Sequence, residues 1–153
     1  MKRKIFLAIS VMVFLMGVWG ILTRKDPVEK NIGYVYLTEA DKATALKGHK
    51  VSVNYHGKTN DYDYPEIQSE KDNIYKASIS QENSDKMSLS YSKKIYGDAI
   101  FNLYDSDLNL ISENETTLNI PGVSGEVYYV SVLVSWGSEK ENINMIYYFS
   151  VQT

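Results

Sequence analysis

The sequence predicts an all-β domain standing behind one N-terminal transmembrane helix, and three observations carry that expectation. Aromatic residues are skewed toward tyrosine, with 13 Tyr against 4 Phe and 2 Trp, and aromatic and β-branched side chains suit a pleated, half-buried surface. From Val51 onward, short apolar alternations are separated by polar turn residues, the pattern of successive strands. Ahead of them, Ile5 to Thr23 form an uncharged, mostly apolar run between Met1-Lys2-Arg3-Lys4 and Arg24-Lys25.

That run is close to the roughly 20 residues that cross a bilayer core, and longer than the ~7–15 apolar residues of a typical cleaved signal peptide. The expectation is an uncleaved anchor over residues 1–23. By the positive-inside tendency Lys2, Arg3 and Lys4 stay in the cytoplasm, which puts everything after Thr23 outside the cell membrane. The alternative is cleavage after Gly20, where Val18 and Gly20 stand at the positions a signal peptidase reads, with Trp19 between them. The domain would then be secreted. Residues 24–31, with Pro27 and no periodicity, read as a linker, and residues 32–153 as one extracytoplasmic domain with one core.

The first expected strand runs from Tyr34 to Leu37. Thr38 with Asp41 three residues on resembles a capping start, and Gly48 a stop, so Thr38 to Leu46 is expected to be a short helix. Further strands are expected at Val51 to Tyr55, Ile74 to Ile79, Lys86 to Tyr91, Ala99 to Tyr104, Asn109 to Ser112, Thr117 to Ile120, Val127 to Trp136 and Asn144 to Val151. The last two are the clearest. Tyr128, Val130, Val132, Val134 and Trp136 alternate against Ser131 and Ser135, and Met145, Tyr147, Phe149 and Val151 repeat the alternation. They should form a hairpin through Gly137 to Asn142. So many short segments of period two favour an immunoglobulin-like β-sandwich over a closed barrel.

The stretch Pro121 to Tyr129, followed by Val134-Ser135-Trp136-Gly137 and Tyr147-Tyr148-Phe149-Ser150-Val151, resembles the end of bacterial extracytoplasmic immunoglobulin-like sandwich modules. The resemblance covers about a quarter of the chain. It implies a fold and a compartment, and it carries no functional residue.

Composition excludes several kinds of chemistry. Cysteine is absent, so disulfide frameworks, thiolate zinc sites, thiol nucleophiles and lipid attachment at cysteine are ruled out, and any tether must be polypeptide. From Asn31 onward there are 10 Lys and no Arg against 17 acidic residues, leaving the outer domain at −7. A domain of that charge opposes nucleic-acid binding, which relies on Lys and Arg displacing counterions. None of the sequence signatures of Ser or metal hydrolases or of phosphate loops occurs, so no catalytic residue, metal ligand or cofactor is expected.

The best candidate surface is the loop Asn60 to Glu66, in which Tyr62 and Tyr64 alternate with Asp61, Asp63 and Glu66. Loops on a rigid scaffold concentrate binding residues. The tyrosines could stack on a sugar ring or an apolar partner while the carboxylates accept hydrogen bonds or hold a cation. The bland reading is an ordinary edge loop with its tyrosines against the sandwich. Asp105-Ser106-Asp107-Leu108-Asn109 opens like a calcium loop, but Leu110 and Thr116 stand where Gly and Glu belong, so a hairpin turn is expected. His49 and His56 are seven apart and point to opposite faces if the strand between them is regular.

The function these features suggest is a membrane-anchored, non-catalytic module that offers loops or an edge strand to a cell-surface ligand or a neighbouring membrane protein. The alternatives are a secreted regulator or inhibitor and a small hydrolase built on paired carboxylates.

Overall fold

The computed structural model describes residues 27–39, 41–78 and 87–153. The expected membrane anchor, the start of the linker, and Ile79 and Lys86 at the ends of two expected strands lie outside the described residues. Among the described residues no helix is long and apolar enough to cross a membrane.

The strands are β1 (Val35–Glu39), β2 (Lys42–Ala45), β3 (Gly48–Tyr55), β4 (Lys58–Asp61), β5 (Tyr75–Ser78), β6 (Met87–Tyr91), β7 (Ile100–Tyr104), β8 (Leu110–Glu115), β9 (Val127–Gly137) and β10 (Glu141–Gln152). One short helix, α1 (Ile67–Glu70), lies between β4 and β5. The strands form a three-stranded sheet, β2-β1-β6, and a seven-stranded sheet ordered β4-β3-β10-β9-β7-β8, in which β5 also pairs with β10.

The long hairpin β9–β10 is the spine of the larger sheet. Its alternation makes it so: Val130, Val132, Val134 and Trp136 of β9, with Phe149 and Val151 of β10, have no exposed surface at all. The other edge of β10 is shared, antiparallel to β3 over Glu141 to Tyr147 and parallel to β5 over Phe149 to Gln152. The inner faces of both sheets meet in one apolar cluster that joins Val35 and Leu37 of β1 to Phe101, Leu103, Trp136 and Phe149 of the larger sheet. This is two-layer sheet packing, the all-β architecture the alternation predicts.

Three expected elements differ. Thr38 to Leu46 is not helical: β1 runs on to Glu39 and turns into β2, with Thr38 opposite Ala43 and Glu39 opposite Lys42. The capping signals there are local, and the hairpin overrides them because it buries Leu37 and Leu46 in the core. Thr117 to Ile120 is not a strand; Leu118 and Ile120 pack on the core from an irregular segment, and Pro121, with no N–H to give a ladder, follows. Within the expected linker, Pro27–Asn31 is a turn of 3-10 helix, and the Glu29 carboxylate takes a 2.7 Å bond from Lys50 Nζ. Two elements were not expected, β4 and α1, because neither shows apolar periodicity.

Candidate binding surface

The outer face of the larger sheet carries a second, smaller apolar cluster of Ile67, Tyr129 and Tyr148, with Ile74, Tyr104 and Ile146 packed against it. One side chain of α1 explains the helix. Ile67 is buried there, and a four-residue helix has too few internal bonds to persist without such tertiary contact. Several bonds hold the segment over the sheet. Tyr148 Oη donates to the Pro65 carbonyl at 3.0 Å, Ser69 Oγ to the Glu66 carbonyl at 2.7 Å, and Lys71 Nζ to the Ser106 carbonyl at 3.1 Å.

The loop leading into α1 is the one the sequence singles out. Its residues are brought together on one rim, with Asp61 closing β4 opposite Ser52. Tyr62 is bonded through its N–H to the Val51 carbonyl at 2.8 Å, and Lys50 Nζ sits 4.9 Å from the centre of its ring. Lys50 also binds Glu29, so the loop is tied indirectly to the N-terminal turn. Tyr62 and Tyr64 nevertheless remain 40% and 42% exposed, and Asp63 and Glu66 face solvent. The tyrosines are therefore neither folded between the two sheets nor left on an unsupported loop.

Beside this rim lies a concavity of about 250 Å³ lined by His49, Glu70, Ile74, Tyr75 and Tyr148 among others. Sequence reading missed it, because its polar groups come from β3, α1 and β10 and meet only in the fold. Glu70 Oε2 stands 3.8 Å from both His49 Nε2 and Lys47 Nζ, and the His49 and Tyr148 rings are 6.0 Å apart. Tyr148 has its pKa raised, first by burial and then by the neighbouring Tyr64, Tyr104, Glu70 and Glu66, so its hydroxyl stays a neutral donor. His49 has its pKa lowered from 6.5 because burial outweighs the attraction of Glu70, with Lys47 adding a smaller repulsion.

The stability consequence has a definite sign. A folded-state pKa below the unfolded one means that the folded chain holds fewer protons in the window under 6.5, so stability falls as pH drops through it. His49→Gln should flatten this part of the profile. Urea unfolding between about pH 7.5 and 5 should show wild type losing stability relative to the variant, whereas a relative gain would mean that the Glu70 pair dominates.

The two histidines do not follow the regular-strand expectation. Ser52 pairs with Asn144 and Lys50 with Met145, which leaves Val51 as an extra residue in β3. That bulge shifts the alternation by one, and it sets His49 and Ser52 on the same outer face. His56 lies in the β3–β4 turn at φ 49°, with its ring 3.2 Å from Glu141. The two rings make separate contacts. Asp105 behaves as the expected turn residue, its carboxylate accepting bonds from the N–H groups of Asp107 and Asn109 and from Asn109 Nδ2. Among the described residues no group of three His, Asp or Glu side chains is placed to hold a metal ion.

The class the structure defines is a two-sheet all-β domain with an aromatic and acidic rim beside a mainly apolar concavity that holds His49 and Glu70. Comparison with protein-family models, with curated proteins and with solved structures finds no match.

Proposed function

We propose that this chain is a membrane-anchored recognition module of immunoglobulin-like type, with its sandwich outside the cell. It presents the Asp61 to Glu66 rim to a cell-surface ligand or a neighbouring membrane protein, by binding rather than by catalysis. The observation that carries the reading is the combination at Tyr62 and Tyr64: two exposed aromatic rings on a loop pinned by Val51, Lys50 and Tyr148. A loop ordered before its ligand arrives has less conformational entropy to lose on binding. Tyrosines so held offer flat apolar faces, and Asp61, Asp63 and Glu66 supply acceptors for hydroxyl or cationic groups. The apolar run Ile5 to Thr23 and its basic flanks support the anchor and its orientation.

The test uses the isolated cell envelope as probe. The double variant Tyr62→Ala, Tyr64→Ala should bind it about tenfold more weakly, since losing two stacking contacts of roughly 0.5–1.5 kcal/mol each reaches the ~1.4 kcal/mol of a tenfold change. Its unfolding midpoint should stay near wild type, because exposed substitutions typically move stability by only about ±0.5 kcal/mol. Unchanged envelope binding would remove the rim from the proposal. Protease shaving of whole cells checks the address: an intact, membrane-bound, shaved chain supports the anchor, and a product beginning near Ile21 in the medium replaces it with secretion.

A further inference from the structure

Among the described residues the two sheets leave a groove along one side. Between the free edge of β6 and the segment leaving β8 runs a groove of about 410 Å³, walled by Leu37, Leu89, Phe101 and Leu118 with Asp98 and Thr117 at its lip. Met87, Leu89 and Tyr91 point into the core from β6, yet each is only partly buried. Among the described residues the edge beside them carries no strand. β6 pairs with β1 alone among the described strands, and Ser92 N–H bonds the Tyr34 carbonyl. In an antiparallel ladder bonded pairs alternate, so the β1 bonds fall to Ser88 and Ser90, opposite Thr38 and Tyr36. The N–H and C=O groups of Met87, Leu89 and Tyr91 therefore point away from β1, along the groove.

The other sheet edges are protected. β2 carries Lys42, β4 carries Lys58 and Asp61, β5 carries Lys76, and β8 carries Glu113 and Glu115 with two register shifts against β7. β6, Met-Ser-Leu-Ser-Tyr, has no charge, no proline and no bulge. Edges of that kind are templates for another strand. An occupant must supply backbone donors and acceptors at strand spacing together with alternate apolar side chains, and an extended polypeptide supplies both. The net charge of −7 from Asn31 onward sets two copies of this domain against each other and favours a basic partner.

We infer that the β6 edge and its groove take an extended segment of a second protein, apolar at alternate positions and flanked by Lys or Arg, which adds as a strand beside β6. The surface is separate from the Tyr62–Tyr64 rim, so the two readings stand or fall independently.

The probe is a short synthetic peptide of alternating valine and threonine with a lysine pair at each end, offered to the full chain in lipid nanodiscs. Amide hydrogen exchange at Met87, Leu89 and Tyr91 should slow on binding. A glutamate-flanked peptide should bind at least about tenfold more weakly, and one N-methylated at every valine and threonine, which keeps the side chains but removes the N–H donors of either strand orientation, should not bind. Thr117→Trp, which fills the groove from an exposed position, should weaken the peptide tenfold or more with the unfolding midpoint retained. Tyr62→Ala with Tyr64→Ala should leave it unchanged. Four results would each overturn the assignment: equal binding of the N-methylated peptide, exchange at β6 unaffected by peptide, β6 amides already protected in the free chain, or a concentration-dependent dimer that protects the same amides.

Discussion

Trp136→Ala is expected to cost about 3–5 kcal/mol, the range for removing a large aromatic side chain from a packed core. Trp136 is fully buried in the larger sheet. Its ring meets Tyr91 edge-on at 6.3 Å, and it packs so closely on Gly33 that a Cβ there would lie 2.7 Å from the indole. Several elements thus converge on one side chain, and their backbones cannot all collapse into the space it leaves. A polar loss adds to the cavity. Trp136 Nε1 donates to Tyr147 Oη at 3.0 Å, and that hydroxyl, on a residue only 2% exposed, is left with the weak acceptor Met145 Sδ at 3.8 Å. Against a typical domain stability of roughly 5–15 kcal/mol such a loss is a large fraction. Trp136→Phe keeps most of the volume and should cost clearly less. Urea unfolding followed by circular dichroism is the measurement, because Trp136 is one of only 2 tryptophans and fluorescence would lose its reporter. A loss under about 1 kcal/mol for the alanine variant would mean that the two layers do not close on this side chain.

Gly137→Ala should be the next most damaging change, at about 2–3 kcal/mol. Gly137 has φ 117°, which L side chains rarely adopt, and a Cβ there would overlap the carbonyl oxygen of Glu141. That same oxygen accepts the Ser138 N–H at 2.8 Å, and Asn142 Nδ2 bonds the Ser138 carbonyl at 3.0 Å. Backbone strain of this kind costs roughly 1–3 kcal/mol, and a clash with backbone atoms cannot be relieved by a rotamer change. The consequence reaches beyond the turn, because the hairpin register from Asn142–Gly137 to Gln152–Val127 begins there. Gly57→Ala is the control. Gly57 also has positive φ, at 78°, but a Cβ there meets nothing within 4 Å, so only the conformational term of about 1–2 kcal/mol remains. Equal losses for the two variants would show that the contact with Glu141 contributes nothing.

The parts of the fold legible in the sequence are those where alternation and burial coincide. β9 and β10 read directly, since every second residue is large and apolar over a long run, and the Asp105 turn read directly from a carboxylate that satisfies nearby N–H groups. Thr38 to Leu46 misled because Thr, Asp, Ala and Leu in that order stabilise a helix locally, while Leu37 and Leu46 gain more by closing a hairpin on the core. The rim was half legible. Asp61, Tyr62, Asp63, Tyr64 and Glu66 announced themselves by composition, whereas the concavity beside them did not, because His49, Glu70 and Tyr148 are far apart in the chain and none stands in a recognisable motif.

The sequence by itself determined the all-β character, the long C-terminal hairpin and the acidic charge, because these follow from side-chain period and from counting. The tertiary structure alone decided which sheet each strand joins, that β5 and β3 share one edge of β10, that the Val51 bulge turns His49 and Ser52 to the same face, and that β6 pairs with β1 alone among the described strands. Each depends on contacts between distant segments, whose free energy appears only when two surfaces meet, and no local pattern encodes it.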